Sequence, residues 1–384
     1  MNDGTLYSIW RRPTMIYQQI RRHPFRFLLY LTLSLACVPY GIAQRTPEQQ
    51  ETLDEAFLTA VQRRDWAKIQ QLLDSGANIN ARARTNRNYA LQYAVFWPDA
   101  NLVKFLLDKG ADINLTDDGD DTALMEAANN NDPQNKVIVK LLLERGANVH
   151  ASGNRALLNA AKEGGPEIVQ LLLQKGADPN ARNIVKYAGD SAADTALMYA
   201  VQGNFVKAVQ LLLAAGADVR AVNESGQTVL MKAARVDAGN DVKTHVAMLE
   251  LLLKRGVDVN ARDKEGKTAL MHAAYEWFTE AGGVFSHAEI LRVLLAHGAE
   301  VNAQNRQGDT ALMTAIQHCR ITPAKAGNLE VVKILLEKGA QVNLQNRDGR
   351  TAMTYAKALP VGDADADQIR SSIIALLKKA GAKE

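Results

Sequence analysis

The sequence predicts an all-α repeat protein in which about nine helix-turn-helix units, joined by β-hairpin-like fingers, follow an N-terminal signal segment. Two motifs predict this class: Leu-Leu-x-x-Gly-Ala-Asp-Val-Asn, and Thr-Ala-Leu-Met ahead of many of its copies. The first recurs at intervals of 30 to 42 residues, and self-similarity of this period is the signature of stacked supersecondary units. The composition agrees, because 47% apolar and 23% charged residues are typical of a globular chain.

The first 43 residues are expected to be a removable secretory signal. Arginines precede an apolar run at 27–38, Pro39 ends the run, and small residues lead to Ala43. This run is shorter than the ~20 apolar residues that a membrane span needs. We therefore expect cleavage before Gln44, so that residues 44–384 form the mature protein.

Two alternatives to cleavage stay open, namely lipidation at Cys37 and an uncleaved anchor in the inner membrane. Met15 is also a candidate start, because a signal that begins there has ordinary proportions. Each interpretation places the rest of the chain in the periplasm or outside the cell. Membrane contact is then expected only through the signal segment or the uncleaved anchor.

Charge and cysteine content argue against a nucleic-acid-binding protein and against a fold stabilised by disulfides. The chain has 45 basic and 42 acidic residues, but 1–43 holds five of the basic and one of the acidic, so 44–384 has 40 and 41. A nucleic-acid interface needs a basic face, and the balance gives no support for one. Cleavage leaves Cys319 as the one cysteine, so we expect packing rather than a disulfide to stabilise the fold. Cys319 itself is expected to be a partly buried small apolar side chain.

In many of the units, the first helix is predicted at the Thr-Ala-Leu-Met motif, because threonine can cap a helix start. Its copies begin at Thr122, Thr195, Thr268 and Thr310, with variants at Thr228 and Thr351. The second helix is amphipathic. The buried stripe predicted for one of these helices is Val139, Leu141, Leu142 and Leu143.

Each second helix is expected to end at a glycine in the left-handed C-cap conformation. These glycines are Gly76, Gly110, Gly146, Gly176, Gly216, Gly256, Gly298, Gly339 and Gly381. A single unit cannot bury its leucines by itself. Neighbouring units must bury them, at ~1.5–3 kcal/mol for each fully buried leucine.

These motifs resemble the ankyrin repeat pattern, and the resemblance covers about 45–384 in nine copies. It implies a right-handed solenoid with terminal caps at about 47–82 and 346–384, and partner contacts from fingers and inner helices on a concave surface. Ala and Met stand where the family pattern has the Pro and His of Thr-Pro-Leu-His. We expect the Met to fill the space in which the family's His makes hydrogen bonds. With its signal segment, the chain is similar to bacterial exported or periplasmic ankyrin proteins.

The last four units are longer than the family period, and the extra residues fall between their inner and outer helices. The four insertions lie near 235–245, 275–287, 317–328 and 357–368. Equivalent loops of stacked units lie side by side, so we expect one strip that forms a second candidate binding surface. One insertion carries an aromatic cluster of Tyr275, Trp277, Phe278 and Phe285. Packing between insertions and exposure to a partner both remain open for these rings.

No motif in the sequence points to catalysis, a cofactor or a metal site, so no enzymatic activity is expected. The most acidic segment is 116–122, which contains Asp117 and Asp118. It does not match the spacing of a calcium-binding loop. A solvated turn, a contact for a basic partner and a cation site remain open for it.

The predicted function is a non-enzymatic, monomeric scaffold that binds a protein partner of unknown identity and no small-molecule substrate. A secreted effector that binds a host protein is the alternative. Candidate contacts at the finger tips are Glu224, Ser225, Gln227, Lys264, Glu265, Lys267, Arg306, Gln307, Asp309, Arg347, Asp348 and Arg350. Their mixed charge signs argue against a uniformly charged ligand.

Overall fold

The computed structural model describes residues 45–85, 87–163, 165–182, 193–235, 242–275, 287–319, 327–360 and 364–383. Contacts divide the chain into residues 1–53 and 54–384. The second part forms one compact body of repeats, which the following paragraphs describe. The signal segment, Met15, Cys37 and the cleavage site before Gln44 lie outside the described residues.

The described part contains eighteen helices, which form nine consecutive pairs, and the all-α repeat solenoid is confirmed. They are α1 (Pro47–Arg63), α2 (Trp66–Asp74), α3 (Ala90–Phe96), α4 (Ala100–Asp108), α5 (Ala123–Ala128), α6 (Pro133–Glu144), α7 (Ala151–Lys162), α8 (Pro166–Gln174), α9 (Ala196–Gln202), α10 (Val206–Ala214), α11 (Val229–Ala233), α12 (Val242–Lys254), α13 (Ala269–Ala274), α14 (His287–Ala296), α15 (Ala311–Gln317), α16 (Gly327–Glu337), α17 (Ala352–Lys357) and α18 (Ala364–Lys379). Odd-numbered helices are the inner helices, and even-numbered helices are the outer ones.

Threonine caps six inner helices as predicted, whereas Tyr89 and His150 occupy the cap position of α3 and α7. In α5, the Thr122 side chain accepts a hydrogen bond from the Met125 N–H at 3.4 Å. The Met125 sulfur in turn accepts one from the Thr122 N–H at 3.5 Å, and the pair Thr228 and Met231 repeats this arrangement. Met125 is also buried. The methionine therefore fills the core, as expected, and in these two units its sulfur is a weak acceptor at the helix start.

The outer helices bury the predicted apolar stripe with one difference. In α6, Val139, Leu142 and Leu143 are buried, but Leu141 is only half-buried and Ile138 takes its place in the core. The prediction for Leu141 was wrong because of helical periodicity. Residues 138, 139, 142 and 143 share one face at about 100° per residue, and residue 141 lies at the margin of that face.

All nine predicted C-cap glycines have positive φ, between 78° and 91°. The Gly110 N–H donates to the Leu107 carbonyl and the Ala111 N–H to the Leu106 carbonyl, which satisfies carbonyls at the end of α4. The prediction from the motif is confirmed. Cys319 follows α15 and is buried and not in a disulfide, as expected.

The asparagine of the motif connects neighbouring units, a role that the sequence analysis did not assign. Asn302 accepts a hydrogen bond from the Gln341 N–H at 2.8 Å and donates one to the Gly339 carbonyl at 3.1 Å. Equivalent pairs of bonds are made by Asn180, Asn260 and Asn343. Each asparagine thus fixes the next unit at its helix C-terminus.

Candidate functional site

The fingers are closed by an Asn or Asp side chain at their base. Each finger is numbered by the unit whose inner helix follows it: finger 3 (117–121), finger 6 (223–227), finger 7 (263–267), finger 8 (305–309) and finger 9 (346–350). In finger 7, Asp263 Oδ1 accepts hydrogen bonds from the N–H groups of Glu265 at 2.9 Å and Lys267 at 2.8 Å. The same two bonds close the other four fingers, with oxygens of Asp117, Asn223, Asn305 and Asn346.

Fingers 6 to 9 are linked into a row by backbone hydrogen bonds. The three bonds run from the N–H of Lys264 to the carbonyl of Ser225 (2.9 Å), from Arg306 to Glu265 (2.8 Å) and from Arg347 to Gln307 (2.8 Å). Glycine makes this approach possible, because a Cβ on Gly266 would lie 2.9 Å from the Arg306 nitrogen. The tips of these four fingers are therefore held in register.

A cleft of about 450 Å³ lies where fingers 6 and 7 meet the inner helices of the sixth to eighth units. Its volume falls within the range of small ligand pockets, but polar and charged side chains line most of it. The lining residues are Glu224, Ser225, Gln227, Arg235, Asp263, Lys264, Glu265, Lys267, Met271, His272, Tyr275 and Thr314. The cleft brings together the candidate contacts predicted for fingers 6 and 7.

His272 and Asp263 form the buried polar pair of this cleft, with 2.9 Å between His272 Nε2 and Asp263 Oδ2. Burial alone would raise the pKa of Asp263. The hydrogen bonds from His272 and from the N–H groups of Lys267 and Glu265 outweigh burial and hold this pKa below its usual value. The His272 and Asp263 pair thus positions finger 7 on its inner helix. Tyr275 follows α13, and the centre of its ring lies 4.1 Å from the centre of the His318 ring.

Two further networks join fingers to inner helices. Lys232 Nζ lies 2.7 Å from Asp194 Oδ2, and Asn223 donates to the other oxygen of that carboxylate at 2.7 Å. At the C-terminal end, Asp309 Oδ1 accepts from Asn346 at 2.8 Å and from the Tyr355 hydroxyl at 3.0 Å. Burial, together with Asp309, raises the pKa of Tyr355. Both carboxylates therefore serve to hold a finger in place.

In finger 3, three of the acidic side chains interact with other groups of the chain. The Asp117 side chain closes the turn, and Asp118 forms an ion pair with Arg82 of the preceding unit. Asp121 forms one with the buried Arg155. Burial, together with Asp121 and Asp117, raises the pKa of Glu126 in the adjacent helix α5. Within the described residues, no group of three metal-binding side chains occurs here or elsewhere.

The remaining predicted contacts lie along the row of fingers rather than in the cleft. Arg306, Gln307, Arg347 and Arg350 are exposed on fingers 8 and 9, and Asp309 is bound internally. Trp277, Phe278 and Phe285 lie outside the described residues, as do most of the insertion strip and the question of its exposure. Of the aromatic cluster, only Tyr275 can be placed, and it lines the cleft.

The sequence analysis missed five lining residues of the cleft: Arg235, Asp263, Met271, His272 and Thr314. A positional signal was available for two of them. His272 and Thr314 each follow Thr-Ala-Leu-Met directly, so the variable residue after that motif marks the inner-helix side of the cleft.

Within the described residues, no helix is long and apolar enough to cross a membrane.

Comparison with known proteins supports the repeat assignment. The family model for ankyrin repeats matches three times, at residues 91–183, 184–263 and 242–346, which together exceed half of the chain. An ankyrin repeat, SAM and basic leucine zipper domain-containing protein 1 from Dasypus novemcinctus is 36% identical over 138 residues, 35% of this chain and 28% of that protein. A B-cell lymphoma 3 protein homolog from Mus musculus is 30% identical over 188 residues, 47% of this chain and 41% of that protein.

A third relative is an ankyrin repeat protein of Fowlpox virus (strain NVSL), 28% identical over 145 residues, 38% of this chain and 32% of the viral protein. The chain thus spans less than half the length of each of these relatives, which come from animals and a virus. They give no support to a bacterial or exported origin. Ankyrin repeats generally mediate protein–protein interaction and are typically non-enzymatic. The repeated motifs, the nine helix pairs and the family match together show that this chain belongs to the ankyrin repeat family.

Proposed function

We propose that this chain is a non-enzymatic scaffold that binds a protein partner through the cleft and the row of fingers 6 to 9. The cleft between fingers 6 and 7 is the observation that carries the proposal. It combines an aromatic side chain, Tyr275, with exposed charged groups, as binding hot spots and their rims commonly do.

The rigidity of this face supports the proposal. Backbone bonds link each finger to the next, and buried polar pairs such as His272 and Asp263 fix a finger to its inner helix. A surface that is ordered before binding loses less conformational entropy when a partner arrives. The surface therefore has the order that selective recognition of a partner requires.

The experiment is affinity capture of the partner from the native compartment with three forms of the chain. Ser225→Trp places a bulky ring at the cleft, while the backbone carbonyl of residue 225 remains available to Lys264. Ser371→Trp is the matched control, because Ser371 is exposed on helix α18, outside the cleft lining. We expect the wild-type chain and the control to capture the same protein, and Ser225→Trp to capture much less of it. Equal capture by all three forms would show that the cleft is not the binding site.

We also propose export of the mature chain across the inner membrane into the periplasm, with secretion toward a host protein as the alternative. The support is the N-terminal pattern of arginines, apolar run and small residues up to Ala43. N-terminal sequencing of the protein recovered from its own cells should begin at Gln44. An intact N-terminus would contradict cleavage, and recovery from the periplasm rather than from host cells would contradict the effector alternative.

A further inference from the structure

We propose that the tips of fingers 7, 8 and 9 bind an extended acidic segment of the partner, with one carboxylate on each of Lys264, Arg306 and Arg347. This proposal rests on the proposed function and specifies the chemistry of the partner. It concerns the row of finger tips that begins with Lys264 at the edge of the cleft and continues to Arg347.

The three cations occupy the same position in consecutive fingers. Each one directly follows the Asp or Asn that closes its finger, and each one is exposed. Their own backbone N–H groups form the bonds that link the fingers. In the described part of the chain, no carboxylate lies within ion-pair distance of these three side chains. They are therefore available to an external anion.

Most of the other charges on these fingers are already bound. Lys267 Nζ lies 2.6 Å from Glu265 Oε2, and Asp309 accepts hydrogen bonds from Asn346 and Tyr355. Arg350 lies over the Tyr355 ring, with its guanidinium carbon 6.0 Å from the ring centre. Apart from the exposed Asp348, the mixed charges of the sequence thus become, in three dimensions, a row of available cations beside neighbours that are already bound.

Toward the N-terminus, the row of cations ends at finger 6, whose tip residue is acidic. At the equivalent tip position, finger 6 carries Glu224 and finger 3 carries Asp118, which is paired with Arg82. The charge of the tip residue therefore changes sign between fingers 6 and 7, so an acidic segment is expected to bind at fingers 7 to 9. This change of sign sets both the position and the length of the binding surface.

The repeat spacing defines the pattern expected in the partner. Packed helices lie about 8–10 Å apart, so equivalent tips of adjacent units should be separated by roughly that distance. A polyproline II segment advances about 3.1 Å per residue with three residues per turn, or about 9.3 Å per turn. Acidic residues at every third position of such a segment would present carboxylates on one face at the spacing of the cations.

A protein segment fits this surface better than a nucleic acid does. The exposed Asp348 and Glu224 stand beside the cations, and residues 44–384 carry no basic excess. A continuous phosphate backbone would meet these carboxylates, whereas separate acidic residues can match individual cations.

The test is fluorescence anisotropy on the whole chain with labelled peptides of about four Glu-Pro-Pro repeats, which span three fingers. A peptide of identical composition with its glutamates clustered at one end controls for spacing, and a thymidine oligonucleotide controls for any polyanion. Arg306→Gln and Arg347→Gln each remove one cation. Lys338→Gln removes an exposed cation from the end of α16 as the matched control.

We expect the repeat peptide to bind several-fold more tightly than the clustered one, and added salt to weaken its binding. Each finger variant should weaken it roughly 3–10-fold, with no effect of Lys338→Gln. Melting curves should show that all variants are folded, because the substituted side chains are exposed.

Equal binding of both peptides, equal binding of the oligonucleotide, or no effect of the finger variants would overturn the proposal. Continued capture of a partner by Arg306→Gln and Arg347→Gln would then leave the proposed function standing. If the wild-type chain captured no partner, the proposed function itself would be refuted.

Discussion

Asp194 and Lys232 illustrate how single residues connect a finger to an inner helix. Their side chains are only 2% and 3% exposed, and they form an ion pair at 2.7 Å. Taking two charges out of water is costly, and their attraction repays the cost only when further hydrogen bonds satisfy them. Asn223 supplies one of those bonds to Asp194, which connects the pair to the base of finger 6. The three residues therefore depend on one another.

Lys232→Met should destabilise the protein by roughly 3–5 kcal/mol, because it leaves the Asp194 carboxylate buried without its cation. Adding Asp194→Asn removes that charge, so the double variant should be more stable than the sum of the two single effects predicts. Chemical denaturation of the four proteins in a double-mutant cycle measures the coupling. Simple additivity of the two substitutions would show that the pair has no mutual dependence.

Glu126→Gln should stabilise the protein near neutral pH. Burial, with Asp121 and Asp117, raises the pKa of Glu126, so the folded state holds this proton more tightly than the unfolded state does. The resulting stability is complete below the unfolded pKa and is lost as pH rises through the raised folded pKa. Glutamine has no charge to desolvate, so we expect a gain of roughly 0.5–1 kcal/mol at pH 7. Thermal melting across pH provides an internal control, because the gain should disappear near pH 3; a gain of the same size there would contradict the mechanism.

At the scale of elements, the sequence predicted how six inner helices begin and how the outer helices end, but not how one finger meets the next. Thr122 and Gly110 act within their own unit, so local chemistry was sufficient to assign them a cap and a C-cap. The bond from Arg306 to Glu265 joins residues of different units and involves only backbone atoms. The identities of the side chains at these positions do not indicate such a bond, and the sequence analysis assigned no role to Gly266, which permits it.

Gly266→Ala should cost more stability than Gly298→Ala, although both glycines have positive φ, at 77° and 86°. Both substitutions incur the left-handed penalty of roughly 1 kcal/mol. At Gly266 the new Cβ would also lie 2.9 Å from the Arg306 nitrogen, whereas at Gly298 nothing lies within 4 Å. We therefore expect an additional loss of about 1–3 kcal/mol at Gly266, measured by chemical denaturation. Equal losses at the two sites would show that close contact between fingers is not a stability determinant.

At the scale of the whole array, the sequence predicted the number of units because each unit repeats the same local motif. The face that binds was harder to predict, because it depends on which side chains are already bound to others. Asp309 and Arg306 look equally available in the sequence, yet Asp309 is hydrogen-bonded within the array and Arg306 is exposed. The charge of the finger row thus emerges only when neighbouring units are stacked.

Removal of residues 344–384 tests whether the last unit caps the array. Helices α15 and α16 pack against α17 and α18, and the fully buried Val332 and Leu335 lie on α16. Because each unit contacts only its neighbours, loss of the last one should expose apolar surface on the eighth unit and leave distant units folded. We expect a melting temperature lower by roughly 5 °C or more, stronger binding of a hydrophobic dye, and retained helical circular dichroism per residue at low temperature.

A control that lacks only 382–384 should keep the original melting temperature, since this cut preserves all of α18 and Gly381. Unfolding of the entire shortened chain would contradict nearest-neighbour stability, and an unchanged melting temperature would show that the ninth unit is not a stabilising cap.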